Sequence, residues 1–209
     1  MLGAAALILA LEGSSLPLIA ALITLGTVVG GLATTVAMVF GGTSPFGALF
    51  HGMATYLGAI VAPWVLTRIL FGGLRTPLQE LVLDLPLLTG AIRAARNGLL
   101  APDARARPGL SATFFAFVSV TAVFLRLPEI VTAAQLTTLL TPAVALSSLM
   151  MVAPLRYPRM AARPALSLAV LALLAAMPFV QTTRLAAVTL VFGLLYATLG
   201  HLAANDVTD

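Results

Sequence analysis

The chain has 209 residues, 60% of them hydrophobic and only 9% charged, too few polar side chains to enclose such a core in water. Its net charge of +4 is carried by arginine, with no lysine; the arginines fall at helix ends, where they mark membrane orientation and not nucleic-acid contact. The absence of cysteine excludes disulfides and thiolate metal sites.

Taken in chain order, the apolar runs predict an all-α integral membrane protein, one transmembrane domain over residues 1–209. Eight candidate spans are expected: 2–11, 16–41, 47–71, 79–100, 110–127, 131–153, 165–180 and 184–204. Gly, Pro or Arg breaks separate most of them, among them Glu12-Gly-Ser-Ser, Gly41-Gly-Thr-Ser-Pro and Gly72-Gly-Leu-Arg. The first run is short: ten helical residues rise about 15 Å, half of a hydrocarbon core. The opening Met-Leu-Gly-Ala-Ala lacks the positive n-region of a cleavable signal peptide. Orientation follows from arginine. Arg93, Arg96, Arg105, Arg107, Arg156, Arg159 and Arg163 lie on one side, against Arg68, Arg75, Arg126 and Arg184 on the other. The bias places both termini in the cytoplasm.

Several short blocks carry a resemblance. Ser44-Pro-Phe-Gly47 is followed by His51 and Thr55, then by Ala62-Pro63. Arg93-Ala-Ala-Arg96-Asn97 closes the fourth run, Pro108-Gly109-Leu110 opens the fifth, and Leu149-Met-Met-Val-Ala-Pro-Leu-Arg156-Tyr157-Pro158 closes the sixth. Together they resemble the CDP-alcohol phosphatidyltransferases, specifically the phosphatidylserine synthase branch, over most of residues 20–160. With Gly47 as the fixed glycine of the family signature D-G-x2-A-R-x8-G-x3-D-x3-D, Ala37 is kept. The motif's glycine after Ala33 and its arginine become Thr34 and Met38. The four carboxylate positions, one of them three residues before the signature, read Gly30, Ala33, His51 and Thr55.

The resemblance implies a polytopic bundle of about eight helices, in which two hard cations would clamp a CDP-lipid diphosphate while a hydroxyl displaces CMP. That chemistry needs anionic oxygen ligands and a general base. Glycine and alanine have no ligand atom, threonine offers a neutral hydroxyl, and histidine prefers softer ions. The remaining acids do not refill the positions. Glu12 and Glu129 fall on connections of the opposite side, Asp103 in a loop, and Asp206 and Asp209 in the tail. Glu80 opens the fourth run from the far side, with Asp84 a turn deeper. Asp84 is expected to be a helix-start charge or a partner of Arg75. No metal, cofactor or catalytic residue is therefore expected.

Arg93, Arg96 and Arg156 remain as candidate lipid or phosphate ligands, since a guanidinium fork matches phosphate oxygens; the alternative is a stop signal with snorkelling side chains. His51 is expected to hydrogen-bond Thr34, Thr35 or Thr55, and His201 to lie at the interface. The small residues of the second and third runs, Gly30-Gly31 included, predict close helix packing, and Phe114, Phe115 and Phe117 predict packing or lipid contact. The function expected is a degenerate homologue: a non-catalytic accessory or structural subunit in a bacterial cytoplasmic membrane, a homodimer or part of a larger membrane complex, in contact with membrane lipids. The alternatives are an active phospholipid synthase and a lipid-binding or transporting protein.

Overall fold

The computed structural model describes residues 2–39, 44–72, 76–98, 106–126, 132–158 and 183–199, and these are mostly helical. In chain order they form α1 (Leu2–Leu11), α2 (Leu16–Val39), α3 (Pro45–Tyr56), a π-turn (Leu57–Val61), α4 (Ala62–Phe71), α5 (Pro77–Gly98), β1 (Ala106–Pro108), α6 (Ala112–Arg126), α7 (Ala133–Val152), β2 (Arg156–Pro158) and α8 (Thr183–Leu199). Three segments, Leu16–Ala33, Leu49–Phe71 and Ala134–Val152, are long and apolar enough to cross a membrane. Helix α5 has the length but carries Glu80 and Asp84 near one end and Arg93 and Arg96 near the other. Helices α1, α6 and the apolar part of α8 are shorter. The expected run 165–180 lies outside the described residues.

The core is built around α6, whose residues from Phe114 to Leu125 are all buried. It packs against α2, the π-turn, α4, α7 and α8. Phe114, Phe115 and Phe117 are thus packing residues and not lipid-facing ones. Residue 193 must be glycine for this packing, because a Cβ there would meet the Phe117 ring at 2.3 Å. Between α4 and α6, the Thr67 and Ser119 hydroxyls lie 2.9 Å apart; Ser119 donates to the Phe115 carbonyl, and the one Thr67 proton is shared between Ser119 and the Pro63 carbonyl. A polar pair of this kind holds two apolar helices in register.

Close helix approach in the second and third runs is found at Gly26 and Gly58, both against α1. A Cβ on Gly30 would touch nothing within 4 Å, whereas one on Gly3 would meet the Gly58 backbone at 2.5 Å and one on Gly90 the Ile60 side chain at 2.9 Å. Helix α1 turns back through Gly13 (φ +72°) and packs on α2, the π-turn and α4. Its ten residues therefore flank only part of the longer helices.

Helix α3, the π-turn and α4 form one continuous rod. Ser44 caps its start, accepting from the Gly47 amide at 3.0 Å, with Pro45 at the first helical position. The Ser-Pro-Phe-Gly block is therefore a helix start. The π-turn lies just before Pro63, whose missing N–H and bulky ring disrupt an α-helical ladder; the Ala62 amide accordingly reaches back five residues, to the Leu57 carbonyl.

Candidate functional site

The three sequence blocks at 93–97, 108–110 and 149–158 meet at one end of the bundle. Strands β1 and β2 pair antiparallel, with Arg107 opposite Tyr157. Just past β1, Gly109 adopts φ +81°. Its amide donates to the Leu155 carbonyl at 2.8 Å, and the Leu110 amide to that of Met150 at 2.8 Å. The carbonyls that end α7 have no partner within their helix. Arg96 supplies one: its guanidinium donates to the carbonyls of Val152, Met151 and Ala153 at 3.1, 3.4 and 3.5 Å. A cation there also suits the negative end of the helix dipole. Gly109 is confined by the same arrangement, since a Cβ would lie 2.0 Å from the Met151 carbonyl oxygen and 2.8 Å from the Arg96 guanidinium.

Of the candidate arginines, Arg96 is thus committed to a helix end. Arg156 is exposed on β2. Arg93, half-buried one turn before Arg96, lies close enough to Tyr196 of α8 to act on it electrostatically. Tyr157, next to Arg156, is buried; its hydroxyl donates to the Ala197 carbonyl, its ring stands 6.0 Å from that of Tyr196, and burial pushes its pKa up. Helices α5, α7 and α8 and the small sheet are tied together at this end.

The residues at the signature's carboxylate positions form no comparable cluster. Gly30 and Ala33 lie on α2, and Ala33 faces outward. His51 is exposed on α3, its Nε2 3.5 Å from the Thr55 hydroxyl. This contact joins two residues of one helix on an open face and encloses no pocket. The side chains of Thr34 and Thr35, and all of His201, fall outside what the structure describes. Among the described residues, no three carboxylate or imidazole side chains come together. A cavity of about 10 Å3 between Thr24, Thr27, Ala116, Phe117 and Val120 has room for little more than one water.

Asp84 is held from the α4 side. Its Oδ1 accepts from Arg68 at 2.7 Å and from the Trp64 indole at 3.0 Å. Arg68 also pairs with Glu80 at 3.1 Å, and its guanidinium lies 4.9 Å from the centre of the Trp64 ring. Arg75 lies outside the described residues. The pairing has a plain origin: α4 and α5 run antiparallel on either side of the 72–76 connection, so Arg68, one turn before the break, meets acids one and two turns after it. His51 and Arg68 are 17 residues apart on one rod, about 25 Å of helical rise. The acid cluster and the signature positions therefore sit toward opposite ends of that rod.

No protein-family model matches this chain, and no curated protein matches it. The site therefore stands on its own residues: a capped, arginine-bearing end of the bundle, and a separate ion-paired cluster towards the other end.

Proposed function

We propose that the protein is a non-catalytic membrane subunit on a CDP-alcohol phosphatidyltransferase-like frame of about eight spans. It would act as an accessory or structural component of a larger membrane assembly. The observation that carries this reading is the separation of functional groups. The positions from which the family's cation ligands would come hold Gly30, Ala33, His51 and Thr55. The carboxylates of the neighbouring helix α5, Glu80 and Asp84, are ion-paired to Arg68 near the far end of the same rod. Without anionic oxygens there is nothing to hold a diphosphate through divalent ions. The frame itself is supported by the convergence of the 93–97, 108–110 and 149–158 blocks, whose contacts serve to fix helix ends. A fold can outlast its chemistry and keep its surfaces.

Arginine placement sets the orientation in this reading: a bacterial cytoplasmic membrane with both termini in the cytoplasm, and the β1–β2 end facing it. The test is direct. Purified protein incubated with CDP-diacylglycerol, magnesium or manganese, and serine, glycerol or inositol is expected to release no CMP above background. Release that disappears on Asp84→Ala would establish an active synthase instead. Purification in mild detergent is expected to bring down a defined companion. A monomer alone would count against the subunit reading.

A second reading, phospholipid binding at the arginine end, is favoured by the exposure of Arg156 close to Arg93 and Arg96 on one end of the bundle. It predicts stoichiometric co-purifying phospholipid that is lost on Arg93→Ala or Arg156→Ala. Arg96→Ala is uninformative here, because it also uncaps α7.

A further inference from the structure

From the uneven anchoring of the Pro45–Phe71 rod, we propose that α3 is a hinged arm that pivots about the π-turn and changes the width of the gap between itself and α2. The two parts of the rod pack differently. Helix α4 buries Ala62, Pro63, Leu66, Thr67, Leu70 and Phe71, which sets one stripe of it in the core. None of the described side chains of α3 is buried; Phe46, Leu49 and Met53 are exposed by 76%, 67% and 62%. A Cβ on Gly52 would meet nothing within 4 Å. A helix at the rim of a bundle still buries one stripe, so a rim position alone does not account for α3.

Polar contacts follow the same division. Helix α4 is fixed by the Thr67–Ser119 pair, by Arg68 on Glu80 and Asp84, and by Arg126, whose guanidinium donates to the Leu70 carbonyl at 2.7 Å. Helix α3 is tied to α5 at its hinge end, where the Tyr56 hydroxyl donates to the Leu87 carbonyl at 3.0 Å. Between the two parts lie the wide turn Leu57–Val61 and Pro63, whose nitrogen has no hydrogen to return to the preceding turn. Such features are where long helices kink. The fulcrum is fixed from both sides, since a Cβ on Gly3 would meet Gly58 and one on Gly90 would meet Ile60. Helix α2 packs on the π-turn and α4 and, among the described residues, makes no comparable contact with α3. The room for a swing is on that side. The arm is about 18 Å long, so a change of about 20° at the turn moves its far end by about 6 Å. Nothing in the hinge depends on the proposed function: CMP release reads the signature side chains, whereas the hinge is read as a distance with no substrate present.

The chain has no cysteine, so paired spin-labelled cysteines report cleanly in phosphatidylglycerol/phosphatidylcholine nanodiscs. Leu49→Cys with Leu32→Cys measures α3 against α2. Ile69→Cys with Leu18→Cys measures α4 against the other end of α2, and all four positions are exposed. Pulsed electron resonance is expected to give a bimodal distance distribution for the first pair and a single narrow distance for the second. Tyr56→Phe, which releases the tie to α5, should deplete the conformer that holds this bond severalfold. Pro63→Ala, which restores a backbone donor beside the turn, should draw the first pair towards a single distance. One narrow distance for the first pair in the unaltered rod overturns the proposal, as does equal spread in both pairs. Populations moved by neither Tyr56→Phe nor Pro63→Ala would place the motion away from the turn and overturn it as well.

Discussion

At the scale of single residues, Gly109 and Arg96 have the clearest roles. Any side chain at 109 is strained twice: by the left-handed backbone and by contact with the Met151 carbonyl. Gly109→Ala is expected to cost about 2 kcal/mol or more, read as a lowered melting temperature in detergent. Arg96→Lys exchanges a fork spanning three carbonyls for a compact ammonium. It is expected to lose about 1–2 kcal/mol with no added lipid, the condition that separates capping from phosphate binding. Tyr157 gives a pH signature. Burial raises its pKa above the ordinary 10.0. Its contribution is therefore intact below pH 10 and declines as pH rises past that value and through the higher folded one, because the unfolded chain ionises first. Thermal melts from neutral pH to about pH 11 should show this alkaline loss, and Tyr157→Phe should flatten it.

Helix placement was largely legible in the sequence, because apolar runs and Gly/Pro breaks report length and ends directly. The observed helices start and stop within a few residues of the expected runs wherever the structure describes them. Two helix starts carried a further readable signal in Thr76-Pro-Leu-Gln79 and Thr132-Ala-Ala-Gln135, where threonine and glutamine cap each other's backbone amides. Partner choice was not legible. Gly30 and Gly3 look alike in sequence, and only the crossing of α1 over the π-turn shows which one is in contact. Asp84 likewise meets Arg68 because antiparallel α4 and α5 bring the two to the same depth. Two element-level outcomes follow. Thr67→Val should cost roughly 0.5–1.5 kcal/mol by removing the α4–α6 hydrogen bond, read as a lower melting temperature in detergent. Gly3→Leu should lever α1 away, seen as faster hydrogen exchange in α1 and around Gly26, whose would-be Cβ lies 3.4 Å from that of Leu2.

Across the whole molecule, charge is divided by end: Arg93, Arg96 and Arg156 towards one, and the Trp64, Arg68, Glu80 and Asp84 cluster towards the other. The proposed orientation can be checked with the same cysteine-free background. A membrane-impermeant maleimide added to intact cells is expected to label Thr76→Cys and to leave Pro154→Cys unmodified until the membrane is opened. The reverse pattern would invert the topology while leaving the fold unchanged.

The five residues Leu57–Val61 have a consequence for how this rod tolerates changes in its length. A π-turn holds one residue more than the α-helix around it. Deleting one there is expected to restore ordinary winding and leave His51 and Thr55 near their present azimuth relative to Arg68, because the wide turn already absorbs the extra residue; the same deletion elsewhere in the rod would swing Pro45–Tyr56 by about 100°. The rod can thus lose a residue at this turn without rephasing its two halves.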